Sequence, residues 1–227
     1  MRSVVNNLKK VIFLLFIIAT VLQYGCFAPI NLCFENAKLL KKGEIKAQAN
    51  VAGYFATSLQ KILESDNSME NYNNNVGVGL NYGISDKINA GLRYERIGVV
   101  SDEVEFFGME FNTGIKAINF LELSNKIRLY EDKLALAFPV SFYFLEEDGF
   151  FSFDPRLYWT IRENNKFEAT FTPKLHVFFG ESAGVAPGLT LGIGLSDNLD
   201  KWAIRPEIGY DGFFSIGLGF NAYMNSK

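Results

Sequence analysis

Apolar and polar residues alternate along one segment of this chain after another, and this alternation constrains the fold more than any other feature. In the final segment, Phe214, Ile216, Leu218, Phe220, Ala222 and Met224 alternate with Ser215, Gly217, Gly219, Asn221 and Tyr223. A period of two is typical of β-strands with one apolar and one polar face. The pattern predicts ten strands, at about 44–58, 72–84, 87–99, 103–119, 132–145, 150–162, 166–180, 186–196, 201–210 and 213–224.

These strands predict an all-β fold, a single closed antiparallel up-and-down β-barrel of about ten strands, with eight or twelve as the alternatives. Three alternate links are short and polar, at 85–86, 163–165 and 197–200, as expected for turns at one end of a barrel. The link predicted at 121–131 is longer than such a turn, so an error in the strand count is most expected there.

The direction of the apolar face separates two kinds of barrel, because soluble barrels turn it inward and membrane barrels turn it outward. Gly is frequent on the polar face, as in Gly192 and Gly194, and small residues suit a narrow lumen. The apolar face is large and aromatic on nearly every strand, and would overfill a small barrel if it pointed inward. We therefore predict a transmembrane barrel, and the alternative is a soluble periplasmic lipocalin-like binding barrel.

The N-terminus has the features of an export signal. Arg2, Lys9 and Lys10 precede an uncharged apolar run at 11–22. That run is shorter than the roughly 20 residues that a membrane-spanning helix needs, and it fits the apolar part of a secretory signal. We expect residues 1–25 to be a signal peptide, with a retained membrane anchor as the alternative.

The residues at the end of that signal resemble the lipobox of bacterial lipoproteins, in which a small residue precedes a lipidated Cys. Gly25 and Cys26 match the motif, whereas Gln23 stands where an aliphatic residue is usual and Leu22 lies one place early. The resemblance implies that Cys26 is lipidated and becomes the new N-terminus. Otherwise Cys26 and Cys33 are free to form a disulfide in an oxidising periplasm.

Two further resemblances concern the start and the end of the barrel. A Cys anchor followed by a short tether at 26–43 and by Lys42-Gly43-Glu44 is similar to many porin-like outer-membrane barrel proteins. The last strand resembles the signal read by the barrel-assembly machinery, although the chain does not end on an aromatic residue. These two resemblances imply that residues 44–227 form a barrel in the bacterial outer membrane. Its expected partners are outer-membrane lipid and, during folding, the barrel-assembly machinery.

The polar faces of the strands carry charges of both signs, which we expect to point into the lumen. Isolated charges there are costly, so a network of ion pairs and hydrogen bonds is expected. The alternative is a narrow channel for small solutes, with these residues setting selectivity. The predicted lumen residues are Arg93, Glu95, Glu110, Lys116, Asp154, Arg156, Glu168, Lys174, His176, Arg205 and Glu207.

Nothing in the sequence indicates catalysis, so we predict a non-enzymatic barrel with a structural or surface-contact role. Omptin proteases, which share a ten-strand outer-membrane barrel, place a His beside an acid, but Leu175 and Val177 flank His176. One His and two Cys do not make a usual metal site, and no cofactor motif is present. A net charge of −3 does not indicate a nucleic-acid partner.

The lipobox resemblance is testable by metabolic labelling. We expect the protein to incorporate a labelled fatty acid, and the Cys26→Ser variant to lose the label because it lacks the acylated thiol. Cys33→Ser is the matched control and is expected to keep it. A label that persists in Cys26→Ser contradicts lipidation at this residue.

Overall fold

The structure is a computed structural model that describes residues 32–55, 72–98, 103–106, 109–112, 117–144, 149–180, 183–211 and 214–224. Its regular elements there are all β-strands. They are β1 (Ile45–Phe55), β2 (Tyr72–Ser85), β3 (Ile88–Gly98), β4 (Glu103–Phe106), β5 (Met109–Asn112), β6 (Ala117–Tyr130), β7 (Leu134–Ala137), β8 (Val140–Phe144), β9 (Gly149–Phe153), β10 (Arg156–Arg162), β11 (Phe167–Phe179), β12 (Gly184–Leu195), β13 (Trp202–Tyr210) and β14 (Phe214–Met224).

The sheet closes into a barrel because its first strand pairs with its last. β1 and β14 are antiparallel in register from Ile45 opposite Met224 to Phe55 opposite Phe214. The other wall strands pair antiparallel with their neighbours in chain order. Closure leaves no free sheet edge, so the backbone groups of the wall are paired with one another.

Two of the ten wall strands are interrupted by proline. β7 and β8 form one wall strand with a break at Phe138-Pro139, and β9 and β10 form another with a break at Asp154-Pro155. Proline has no N–H to donate to the ladder, and both breaks fall at a proline, although Pro173, Pro187 and Pro206 lie within unbroken strands. Hydrogen bonds continue across them, since Asp154 N donates to Pro139 O at 2.9 Å. The predicted count of ten strands is confirmed.

The predicted fourth strand at 103–119 is wrong. β6 takes that place and pairs along β3, from Ala117 opposite Gly98 to Ile127 opposite Ile88, while β4 and β5 form a separate two-stranded sheet. The predicted long link at 121–131 is therefore mostly strand. The alternation in β6 is obscured because its inward face carries Ile118 and Phe120.

The two ends of the barrel differ in the length of their links. At one end, here called the turn end, residues 86–87, 131–133, 163–166 and 196–201 join successive strands. At the opposite end, here called the loop end, the longest links are 56–71 and 99–116. Transmembrane barrels place their short turns on the periplasmic side.

The large apolar side chains point away from the lumen, as predicted. Trp159 is 52% exposed and Ile161 is 61% exposed, and the same face of the other strands is equally apolar. This apolar belt includes Val76, Val78, Leu80, Tyr82, Leu92, Tyr94, Leu123, Phe151, Leu191, Ile208, Ile216, Leu218 and Phe220. An outward apolar belt is typical of barrels that cross a bilayer. It contradicts the alternative of a lipocalin-like barrel with an inward apolar face.

Within the described residues, no helix is long and apolar enough to cross a membrane.

A charge in the middle of the apolar belt is expected to be costly. Leu191 lies in the interior of β12 and is 46% exposed, so Leu191→Arg places a guanidinium against lipid. We expect a loss of about 2–4 kcal/mol in the free energy of unfolding from lipid vesicles, measured by urea titration. Leu191→Phe is the control and is expected to cost little. An unchanged stability for Leu191→Arg contradicts the outward orientation of this face.

Candidate functional site: a lumen closed by the N-terminal segment

Residues 32–42, here called the plug, run through the inside of the barrel to the turn end, where Lys41 and Lys42 are exposed. Leu32, Phe34, Leu39 and Leu40 are each 2% exposed or less. The structure thus differs from the prediction of a periplasmic tether at 26–43, of which 26–31 fall outside the described residues. The physical reason is that these apolar side chains are buried against inward-facing wall residues, which removes them from water.

Glycines on the wall make room for the plug. A Cβ atom on Gly219 would lie 2.7 Å from Phe34 Cβ, and one on Gly217 would lie 2.8 Å from Leu32 Cδ1. At the turn end, a Cβ atom on Gly83 would clash with the backbone carbonyl oxygen of Lys41. The Gly-rich polar face therefore allows a second layer of chain inside a narrow barrel.

The plug runs from the loop half of the lumen to the turn end. Leu32 and Phe34 cluster with Ala52 and Tyr54 of β1. The chain then reaches the turn end, where Gly43 N donates to Gly83 O of β2 at 2.8 Å. Gly43 has φ 84°, which permits the reversal from the plug into β1.

Side chains of the wall satisfy the plug backbone, since the plug belongs to no sheet. Glu207 Oε1 accepts from Cys33 N at 2.8 Å, and Glu207 Oε2 accepts from Phe34 N at 2.6 Å. Thr160 Oγ1 accepts from Ala37 N at 2.8 Å, and Asn221 Nδ2 donates to Phe34 O at 3.0 Å. Buried backbone groups need such partners, so these contacts fix the position of the plug.

The plug also contributes charged and polar side chains to the lumen. Glu35 forms ion pairs with Lys46 and Lys126, the second at 2.9 Å. Asn36 Nδ2 donates to Glu168 Oε1 at 2.8 Å. The plug is therefore part of the polar network of the lumen, a feature that sequence reasoning missed because it assigned this segment to a linker.

Cys33 is buried, and its sulfur contacts two cations. Arg156 Nη1 lies 3.1 Å from its sulfur and Lys174 Nζ lies 3.0 Å away. Sequence reasoning did not connect this plug residue with the strand cations, since the residues are far apart in the chain.

The predicted lumen residues on the wall strands point inward and are buried: Arg93, Glu95, Asp154, Arg156, Glu168, Lys174, His176, Arg205 and Glu207. Three of the ion pairs among wall residues join Arg93 to Glu95, Arg156 to Glu122, and Arg205 to Glu168. The pairing offsets part of the cost of burying charge.

Because the fourth strand was predicted in the wrong place, two charged residues predicted to line the lumen are replaced by two others. Glu110 lies in β5, whose side chains the structure does not describe. Lys116 falls entirely outside the described residues. Glu122 and Lys126 of β6 hold the wall positions instead, at 6% and 7% exposed. Locating β6 correctly from sequence would have identified both.

His176 has an acid partner that neighbouring residues in the sequence did not reveal. Its Nδ1 lies 2.9 Å from Asp154 Oδ1. Asp154 Oδ2 accepts from Ser141 Oγ at 2.7 Å and from Ser152 Oγ at 2.8 Å. A hydrolytic triad instead needs the hydroxyl on the other ring nitrogen. Both hydroxyls here donate to Asp154 instead, so neither occupies the position that a hydrolytic triad requires.

An aromatic layer crosses the lumen on the loop side of the charges. The rings of Tyr143 and Phe150 stack with centroids 4.3 Å apart, and Phe120 lies 5.1 Å from Tyr143. Phe178 lies 6.2 Å from Phe150. These inward apolar residues interrupt the polar lumen that the alternation predicted.

The space left between plug and wall beside Glu35 is small. A cavity of about 20 Å³ is lined by Cys33, Glu35, Arg93, Lys126 and Arg156, among others. That volume holds about one water molecule. The plug and wall side chains therefore fill most of the lumen around these charges.

The turn end offers a test of how the plug is held, through pH. Lys38 donates to Asp200 Oδ1 at 2.8 Å, and Arg162 does so at 3.0 Å. The Lys38 ammonium, followed by Arg162, lowers the pKa of Asp200 to about 2. The contribution of Asp200 to stability is therefore fully present above pH about 4, the ordinary range of the carboxyl group, and is lost as the pH falls through about 2.

We expect Asp200→Asn to unfold more readily than the wild type at pH 7, with the difference disappearing as the pH falls from 4 towards 2. Unfolding is measured by gel migration of unheated and heated samples at each pH. Asp197→Asn, in the same turn, is the control and is expected to show no such window. A difference that persists at pH 2 contradicts the ion-pair explanation.

No known protein family and no curated protein matches this sequence. Solved barrel structures are similar in shape. The translocator domain of the autotransporter NalP from Neisseria meningitidis has a TM-score of 0.43 at 7% identity, covering 82% of this chain and 90% of that one. OprG from Pseudomonas aeruginosa has 0.38 at 10%, covering 85% and 100%. A de novo designed transmembrane β-barrel has 0.37 at 13%, covering 82% and 98%.

Proposed function

We propose that this protein is a non-enzymatic barrel of the bacterial outer membrane, closed by its own N-terminal segment, with a structural or surface-contact role. The observation that carries the proposal is the plug, whose residues 32–40 lie within the lumen and are hydrogen-bonded to the wall. A closed barrel presents a lipid-facing belt and two ends, and passes little through its centre.

The outer-membrane location is supported by the apolar belt together with the secretory signal expected at 1–25. Only closed barrels and helices satisfy the backbone inside a bilayer. Such a barrel contacts outer-membrane lipid along its belt, and on this proposal the barrel-assembly machinery inserts it during folding.

The absence of enzymatic activity is supported by the geometry around His176. Its ring is 2% exposed, and Phe178 stacks against it at 5.9 Å. A general base needs to reach the proton that it abstracts. The hydroxyl groups of Ser141 and Ser152, the candidate nucleophiles beside this pair, already donate to Asp154.

A narrow channel for small solutes is the second candidate. The observation in its favour is that side-chain contacts hold the plug, which is not a strand of the sheet. Movement of the plug would leave the ten-strand wall intact and expose charged residues along the lumen. On this candidate, the closed barrel is the resting state of a channel.

Planar-bilayer recording tests the closure. We expect the purified wild-type protein to give no conductance above the bilayer baseline, because the plug fills the lumen. A variant lacking residues 32–41 is expected to conduct, provided that it still shows the heat-dependent gel shift of a folded barrel. Steady conductance in the wild type contradicts closure. A folded deletion variant that does not conduct shows that the plug is not what closes the lumen.

A further inference from the structure

Glu35 of the plug places its carboxylate among three donors of the barrel wall. Oε1 accepts from Lys46 Nζ and, at 3.2 Å, from Asn81 Nδ2. Oε2 accepts from Lys126 Nζ at 2.9 Å. The donors come from β1, β2 and β6, so the wall itself brings them together. Two ammonium groups and an amide hold a carboxylate through charge-assisted hydrogen bonds, which are among the stronger kinds.

Among the residues that the structure describes, no acid of the wall pairs with the two wall cations at this place. Lys46 is 2% exposed and Lys126 is 7% exposed. Among the described residues, each forms its ion pair with Glu35. A buried ammonium without an anion is costly. With the plug in place, the two buried ammonium groups therefore need an anion beside them.

Other plug atoms also act as acceptors for cations of the wall. Arg205 Nη1 donates to Glu35 O at 3.2 Å, and Lys126 Nζ donates to Asn36 O at 3.1 Å. Cys33 presents its sulfur to Arg156 and Lys174. Towards these cations the plug thus offers acceptor atoms, as an anionic solute would.

We propose that Lys46, Asn81 and Lys126 form a carboxylate-binding site that Glu35 occupies from within the chain. When the plug leaves the lumen, the site takes a small free carboxylate in its place. The passage of such solutes rests on the proposed closure by the plug, whereas the site itself does not. Two adjacent ammonium groups make this part of the opened lumen favour anions over cations, because fixed charge in a narrow pore selects the opposite sign.

Chemical rescue tests the site without any conductance measurement. Glu35→Ala removes the carboxylate and leaves space, whereas Glu35→Gln removes the charge and fills the space. We expect both full-length variants to unfold at a lower temperature, by roughly 5 °C or more, as measured by the heat-dependent gel shift. Sodium acetate is expected to restore most of the loss in Glu35→Ala and little in Glu35→Gln.

The controls are sodium chloride at the same ionic strength and acetamide, the neutral counterpart of acetate. Equal effects of acetate and chloride, or equal rescue of both variants, indicate charge screening and overturn the site. If Glu35→Ala does not fold in chloride, its refolding yield in acetate becomes the measurement. A yield that acetate does not raise also overturns the proposal.

Ion selectivity separates this inference from the closure. The variant lacking 32–41 is expected to give a reversal potential on the anion side in a potassium acetate gradient. Adding Lys46→Gln and Lys126→Gln should move it towards zero, whereas adding Lys133→Gln, on an exposed turn, should not. Cation selectivity in the deletion variant overturns the inference and leaves closure standing. A folded deletion variant that does not conduct overturns closure, and the rescue experiment still decides the site.

Discussion

Two buried ammonium groups of the wall, those of Lys46 and Lys126, meet one carboxylate, that of Glu35. The wall strands alone do not supply this carboxylate, because Glu35 lies before the first strand. Burying a cation without a partner costs several kcal/mol, about 3–5 when one partner of a buried pair is removed. The barrel wall and the plug are therefore energetically one unit, in which each carries charges that need the other.

The backbone imposes a similar dependence. An extended segment inside a lumen has N–H and C=O groups that no sheet satisfies, and each buried group without a partner is costly. Glu207, Thr160 and Asn221 provide those partners to the plug. The glycines of β2 and β14 leave room for it. Small residues, paired charges and capped backbone groups together explain how a barrel of this size holds an internal segment rather than water.

The strands illustrate what periodicity predicts and where it fails. In β11, β13 and β14, one face is apolar and the other polar, and the alternation located them well. In β6, Ile118 and Phe120 point inward among aromatic residues of the lumen. The alternation of apolar and polar residues is therefore weak there, and it favours the neighbouring segment 103–119 as the strand. His176 shows a second limit: its partner Asp154 lies on another wall strand, and residues adjacent in sequence do not reveal such a pair.

By itself the sequence determined nine of the ten wall strands, their total number and the outward direction of the apolar face, because side-chain alternation is a local property with a period of two. It also determined most of the charged residues that line the lumen. Only the tertiary structure decided that residues 32–40 fill that lumen, and which charges are paired there. Those contacts join residues from opposite parts of the chain, such as Cys33 and Glu207. They exist only once the sheet has closed around the plug, which is why no local pattern records them.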